Sequence, residues 1–371
     1  MEAYNKHTLL TKRENGQFAS NEIAILGTNC KQIAALANKI SAHLLKKAKI
    51  AYIDASHSAI NQNLPYDSFT MYKDGVLEVK KPHFFNPYNN SIQFSNYDLV
   101  LVNGNHFTAE KQILILDENK ATPLKKRLDR LNSIQFVVYV DESPNYFSFL
   151  KKKFPHIKNI KAYHIEELDK ISTHIHNLIK AKIAPIKGLV LAGGKSTRMG
   201  RDKTQLNYHG TSQLDYTVNL LKENLLDTYI SVSEDNHEEN SKIIPDTFKN
   251  LGPFGAICSA FRKDPNKAWL VMATDLPFVN SELIKKLLTN RNPKKIATAL
   301  KGKSKPFAEP LITIYEPKAY PLLLSYLSQG YSCPVKVLIN NPVEIVEVED
   351  AVIQNINTPE DFKNALDELK R

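Results

Sequence analysis

Cysteine is scarce: three occur in 371 residues, at positions 30, 258 and 333, and no two form a Cys-x-x-Cys pair. Neither a zinc site nor a disulfide framework is indicated, and each thiol reads as a small buried or half-buried side chain. No apolar run approaches the ~20 residues that cross a bilayer. The first residues, through Gln17, are polar and lack the apolar centre of a secretory leader, so the expected location is the cytoplasm, with no membrane partner. The net charge of +10 comes without an arginine-rich stripe or interleaved aromatics. Nucleic acid is therefore not the expected partner, and the scattered lysines read as solvated surface that also suits small polyphosphates. The histidines lack metal-ligand spacing. His174 and His176 alternate on an expected helix, and His106 follows Asn105 in a loop, so all three read as structural or surface residues.

What remains is ordinary globular material, with 42% hydrophobic and 24% charged residues. The length suits two domains. In the first half, apolar runs at Ile23–Leu26, Lys49–Ala55, Tyr97–Gly104 and Ser133–Asp141 read as strands, and Lys31–Lys47 has helical spacing. The charged stretch Lys151–Lys182 also has helical period. Ala184-Pro185 marks a seam, because proline disfavours helix at itself and just before it. The expected domains are 1–184 and 185–371. Beyond the seam, strands are expected at Gly188–Leu191, Thr228–Ser233, Ala268–Asp275, Lys294–Leu300, Pro310–Glu316 and Pro342–Glu349. A last helix is opened by Thr358 and Pro359. Strands alternating with helices imply an α/β protein of two three-layer domains.

The segment from Gly188 to Lys203 carries the chemistry. An apolar strand runs into Gly193-Gly194, and Lys195, Arg198, Arg201 and Lys203 place four cations within nine residues. Paired glycines let backbone amides approach a phosphate, and a loop after a sheet strand is where open α/β sheets bind ligands. The loop is not a Walker loop, because Gly194-Lys195-Ser196 lacks the required earlier glycine. A bare glycine pair with basic neighbours would also suit an ordinary turn.

The complete string Leu191-Ala192-Gly193-Gly194-Lys195-Ser196-Thr197-Arg198-Met199-Gly200-Arg201-Asp202-Lys203 resembles the signature loop of the NTP-transferase superfamily, and most of all molybdenum cofactor guanylyltransferases. Three further pieces match in order: Pro245-Asp246 with the segment Leu251–Ala256, Trp269–Phe278, and Asn355–Asp361. Together they span roughly residues 186–370. The resemblance implies a Rossmann-like nucleotidyltransferase fold in the C-terminal half and transfer of GMP from GTP to the phosphate of a molybdopterin-type acceptor, with Mg²⁺. It implies a nucleotide site at Leu191, Ala192, Gly193, Gly194, Lys203, Ser233, Asp246, Gly252 and Asp275, catalytic roles for Lys203, Arg198 and Asp275, and Mg²⁺ on Asp275. Other molybdenum-cofactor assembly proteins are implied as partners.

The residues themselves allow plainer readings. Asp275 would serve as a cap before Leu276-Pro277, Lys203 as a solvent lysine, Asp246 as a turn residue, and Asn355 and Asn357 as caps of the last helix. Gly252 and Gly255 would bracket a tight loop. Ser233 stands where the family often has asparagine, the glycine pair and Asp-Lys are spaced one residue closer than usual, and Tyr331–Val335 replaces an expected basic stretch. CTP, a sugar or cobinamide phosphate acceptor, and a non-catalytic scaffold are the rival readings.

The first half resembles the small P-loop GTP-binding adapter of molybdopterin guanine dinucleotide synthesis in the order and spacing of its strands. Its loop, Gly27-Thr28-Asn29-Cys30-Lys31-Gln32, lacks the later glycines and the Gly-Lys-Ser/Thr end, and Asn103 replaces a glutamate. The expectation is a degenerate adapter without NTP hydrolysis.

Overall fold

The computed structural model describes residues 17–56, 65–81, 86–193, 202–233 and 242–370. Its contacts divide the chain into two compact units, Met1–Lys182 and Ile183–Arg371. Gly194 and Arg198 lie outside the described residues.

The strands of the first unit are β1 (Glu22–Leu26), β2 (Ile50–Ile53), β3 (Ser68–Met71), β4 (Leu77–Lys80), β5 (Leu99–Asn103), β6 (Lys111–Leu116), β7 (Ile134–Tyr139) and β8 (Ala162–His164). Its helices are α1 (Cys30–Leu44), α2 (Pro87–Gln93), α3 (Ala121–Lys125), α4 (Ser148–Lys153) and α5 (Leu168–Ala181). Among the described residues six strands form a parallel sheet in the order β2-β5-β1-β6-β7-β8, and β3 and β4 form a separate hairpin. Strand alternation puts Ile23, Ile25, Ile113, Ile115 and Phe136 against α1 and α5 on one face. Leu26, Leu114, Leu116 and Val137 meet Leu124 of α3 and Leu150 of α4 on the other. The unit is thus a three-layer α/β sandwich.

Strands β3, β4, β6 and β8 are absent from the sequence reading. The stretch 151–182 is not one helical segment, because β8 divides it. Its three residues add to the sheet edge beside β7, a pairing supplied by tertiary structure rather than by local period. Strand β6 carries an apolar run, Ile113–Leu116, as long as Ile23–Leu26, and is buried along nearly its whole length beside β1.

The second unit contains β9 (Ile186–Leu191), β10 (Asp227–Val232), β11 (Ile243–Pro245), β12 (Ala268–Ala273), β13 (Ala297–Gly302), β14 (Ile312–Tyr315) and β15 (Val343–Val348). Its helices are α6 (Gln213–Glu223), α7 (Pro253–Lys263), α8 (Ser281–Thr289), α9 (Ala319–Ser328), α10 (Pro334–Ile339) and α11 (Pro359–Leu369). The described strands order as β11-β10-β9-β12-β14-β13-β15, with β14 antiparallel to both neighbours. Leu189, Trp269 and Val271 pack against α7 and α9, and Val190, Leu270 and Met272 against α6 and α8. This too is a three-layer α/β unit, with a Rossmann-like core of parallel strands. Burying each such Leu or Val side chain contributes about 1.5–3 kcal/mol.

The segment after Gly252 is not a tight loop. Gly252 is the N-cap of α7, and Phe254 and Gly255 are buried in its first turn. Phe254 faces the core, and a Cβ on Gly255 would stand 2.3 Å from the Phe248 carbonyl oxygen, so the helix packs directly on the preceding turn. No helix among the described residues is long and apolar enough to cross a membrane.

Candidate active site

Four parallel strands, β11, β10, β9 and β12, deliver their following loops to one edge of the second sheet. Beyond β9, the Ala192 N–H donates to the Ser231 carbonyl at 2.9 Å, which keeps the chain against β10 for one more residue. Gly193 then passes Ser233 closely. A Cβ there would stand 3.1 Å from the Ser233 nitrogen, tighter than ordinary contact. Leu191 and Ala192 are half-buried, while Gly193 and Ser233 are exposed.

Across the sheet, Leu191 pairs with Ala273 of β12, so Asp275 follows β12 on the same edge. Lys203 opens a short turn that Asp202 caps, its Oδ1 accepting from the Thr204 N–H at 2.9 Å. The Lys203 Nζ donates to Asn357 Oδ1 at 2.7 Å and lies 3.7 Å from Asp275 Oδ2. The side chains of Lys203 and Asp275 retain only 19% and 22% of their exposure.

The C-terminal segment is fastened to this point. The Ile356 N–H donates to the Asp275 carbonyl at 2.9 Å. Asn355 Nδ2 donates to Glu309 Oε2 at 3.1 Å. Neither asparagine caps the last helix. Thr358 does so in a capping box with Asp361, which leaves both carboxamides to the site. Leu206, Tyr208, Ile356 and Ala365 form a small core that ties the Lys203 turn to α11.

Glu309 was missed in the sequence. It precedes β14, and the antiparallel run of β14 beside β12 brings it to the edge where Asp275 lies. Burial pushes the Glu309 carboxyl up, and the charge of Asp275 adds to that rise against the hydrogen bonds from Leu311 and Asn355. Burial likewise pushes Asp275 up, and the Lys203 ammonium offsets this only in part. Asp275 Oδ1 is buried without a hydrogen-bond partner among the described residues. Two acids above their usual range, one with an orphaned oxygen, form a donor set that fits a hard divalent cation. No group of three or more His, Cys, Asp or Glu side chains among the described residues could hold a metal. Mg²⁺ does not require one, since it keeps several waters and takes one or two carboxylates plus phosphate oxygens.

Asp246 follows β11, its N–H bonded to the Val232 carbonyl at 2.8 Å. Its Oδ1 accepts from the Phe248 N–H and the Ser259 hydroxyl, both at 2.9 Å. The residue is thus a turn organiser, and the half-buried carboxylate is held rigidly. Gly252 is exposed, with φ +55°. From β11 to β12 is three inter-strand spacings, about 14 Å, a span that a nucleoside triphosphate laid across the strand ends can bridge.

Residues 188–340 match the family described as MobA-like NTP transferase domain. Most of the C-terminal unit is thus similar to an NTP transferase domain of this kind. The transferase domain accounts for the resemblance to curated proteins. Over 183 residues the chain is 33% identical to the molybdenum cofactor biosynthesis bifunctional protein of Synechocystis, covering 48% of this chain and 53% of that protein. The chain therefore spans about half the length of that relative. Over 187 residues it is 29% identical to the probable molybdenum cofactor guanylyltransferase of Carboxydothermus hydrogenoformans, covering 48% of this chain and 93% of that protein. Among solved structures, molybdopterin-guanine dinucleotide biosynthesis protein A of Archaeoglobus fulgidus aligns with 25% identity and a TM-score of 0.42, covering 50% of this chain and 98% of that one.

Proposed function

We propose that the chain transfers GMP from GTP to the phosphate of a molybdopterin-type acceptor, giving the guanine dinucleotide and pyrophosphate. The observation that carries the reading is the meeting of Lys203, Asp275 and Asn357 at the strand edge where the glycine loop begins. The names of the relatives supply the acceptor class.

In this reading Leu191, Ala192, Gly193 and Gly194 bring backbone to the phosphates, and Ser233 offers a hydroxyl beside Gly193. Lys203 holds its ammonium against the α-phosphate, where negative charge grows as the acceptor oxygen bonds to phosphorus and the bond to pyrophosphate breaks. Arg198 receives the departing pyrophosphate. Asp246 accepts from guanine N1–H and the exocyclic amine, with Gly252 alongside the base. Asp275, with Glu309 beside it, would hold Mg²⁺, which would supply neutralisation of the charge on the phosphates. No protein nucleophile is needed, because positioning and electrostatics carry such transfers.

The first unit is read as an adapter that has lost NTP hydrolysis. Only Gly27, Thr28 and Asn29 separate β1 from α1, shorter than the Gly-x-x-x-x-Gly-Lys-Ser/Thr loop, and Lys31 is exposed on the first turn of α1. Its partners would be other cofactor-assembly proteins, and the site of action the cytoplasm.

The test is pyrophosphate release by the full chain with each NTP, Mg²⁺ and a molybdopterin-phosphate acceptor. GTP should be the productive nucleotide. Release with CTP alone would transfer the reading to a cytidylyltransferase, and no release with any NTP would end it.

A further inference from the structure

In the first unit, β2, β5 and β1 are adjacent parallel strands, and the residues just past their ends converge. Gly27 turns the chain immediately after β1, with φ +117° and no room for a Cβ, which would stand 2.0 Å from the Ile115 carbonyl oxygen. Asn29 caps α1 by accepting from the Gln32 N–H at 3.0 Å, and Cys30 is the first residue of the helix. The half-exposed thiol therefore sits at the positive end of a 15-residue helix.

Past β5, the Gly104 N–H donates to the Ile25 carbonyl at 2.8 Å, and the Phe107 N–H closes a turn on the Asn103 carbonyl at 3.0 Å. This folds His106 back over β1, with Nε2 3.2 Å from Cys30 Sγ. Asn105 Nδ2 donates to the Thr28 carbonyl at 2.9 Å and lies 3.6 Å from the same sulfur. Past β2, Asp54 Oδ1 lies 3.9 Å from His106 Nε2. The Asp54 carboxylate is itself fixed by Asn103 Nδ2 and the Tyr52 hydroxyl, each at 2.7 Å, and by the Ala55 N–H at 2.8 Å.

We propose that Cys30 is the nucleophile of a second active centre, one that accepts an acyl group from an ester or thioester onto its sulfur with His106 as base. A strand, a sharp turn and a nucleophile at the helix start form the arrangement that presents a reactive side chain at the carboxyl edge of a sheet. A sulfur and an imidazole within hydrogen-bond reach are the parts of an activated thiol, and Asp54, facing the same ring nitrogen, offsets the charge of the imidazolium once the proton has moved. The Lys31 N–H, among the first amides of a helix and so without an intrahelical acceptor, is the donor offered to a developing oxyanion.

The environment of the thiol agrees with the geometry. Burial pushes it up, but hydrogen bonds from Asn103, Asn105 and His106 and the charge of His106 outweigh that, and the thiol lies below its ordinary value. Among the described residues the titratable groups near it include His106, Asp54 and Tyr52, with Asp117 behind Thr28, whose hydroxyl it accepts at 2.6 Å. Cys258 shows the opposite case: it is buried in the other unit and pushed up to about 12. The first unit contains no second cysteine, so disulfide exchange within it has no partner.

The step balances without a further reagent. His106 Nε2 takes the proton from Sγ, and sulfur attacks the carbonyl carbon. The bond to the leaving oxygen or sulfur breaks, and that atom takes the proton from His106. Water then cleaves the Cys30 thioester, releasing acid and restoring the thiol.

The full chain should be incubated with p-nitrophenyl acetate while p-nitrophenolate is followed, and the protein mapped by peptide mass. The expected result is a burst with one acetyl group on Cys30, no such adduct in Cys30→Ser, and a burst rate reduced roughly hundredfold or more in His106→Ala. Iodoacetamide labelling of Cys30 against pH gives a reading independent of turnover. Its midpoint should lie below that of a free cysteine and rise in His106→Ala. Acetylation confined to lysines or Cys333, or a Cys30 labelling midpoint that His106→Ala leaves unmoved, would overturn the proposal. Cooperative melting of each variant excludes unfolding as the cause of a lost adduct.

Discussion

The Lys203 Nζ hydrogen-bonds Asn357 Oδ1 at 2.7 Å across 154 positions of sequence, with the Asp275 carboxylate 3.7 Å away. The ammonium is thereby held in place before any phosphate arrives, and preorganised charge of this kind is worth most where water is scarce. Replacing Lys203 by Ala should lower kcat/KM for pyrophosphate release about 10²–10³-fold. Asn357→Ala should reduce kcat by a smaller factor, since it frees the lysine without removing it. Steady-state pyrophosphate assays distinguish these outcomes. Equal losses in both variants would show that Asn357 does more than position.

Asp275 makes the stability of the fold depend on pH. Burial raises its carboxyl above the value in the unfolded chain. Below the unfolded value both states are protonated, and the stability linked to this group is fully present. As pH rises through the folded value, the native state must accommodate a buried charge, and that stability is lost. In protein treated with a chelator, Asp275→Asn should therefore melt higher than wild type near neutral pH, with the difference closing around pH 4, while transfer activity disappears. Mg²⁺ should raise the wild-type Tm more at neutral than at acidic pH, because protons compete for the same oxygens. A Tm for Asp275→Asn below wild type at neutral pH would contradict this account.

In the proposed reading Glu309 shares the Mg²⁺ with Asp275. Glu309→Gln should raise the Mg²⁺ concentration giving half-maximal rate about tenfold or more, with most of kcat recovered at saturating metal. Titration of the rate with Mg²⁺ reads this directly. A loss of kcat that excess metal does not repair would place Glu309 on the substrate instead.

Asp246 is rigid because Phe248 and Ser259 hold one of its oxygens. Asp246→Asn should cut the preference for GTP over other NTPs roughly ten- to hundredfold, as measured by competing nucleotides. Gly255→Ala would push a methyl group against the Phe248 carbonyl. It should destabilise the domain by about 1–3 kcal/mol and erode the same preference by displacing the turn.

Much of the second unit was legible because each parallel strand announces itself as an apolar run whose next loop must lie at the carboxyl edge. Lys203 and Asp275 were singled out by the family motif, and the strand pattern puts Asp275 at that edge. Glu309 was not, because its place depends on β14 running antiparallel, and the pattern Pro310–Glu316 carries no sign of direction. Asn355 and Asn357 were ambiguous until Thr358 and Asp361 were seen to cap the helix without them. The meeting of Cys30 and His106 follows from β1 lying beside β5, a neighbour relation that neither segment encodes locally. Gly194 and Arg198 remain assignments from the motif.

The Ile356 N–H bonded to the Asp275 carbonyl bears on how the protein is made. The strip carrying Asn355 and Asn357 is translated after the glycine loop, Lys203, Asp275 and Glu309. Domains fold from the amino-terminal side as the chain emerges. The first unit can therefore settle, and its thiol can react, while the transferase half is still a scaffold awaiting its clasp. A stalled nascent chain ending before Ile356 would have every described strand of the domain and no finished centre.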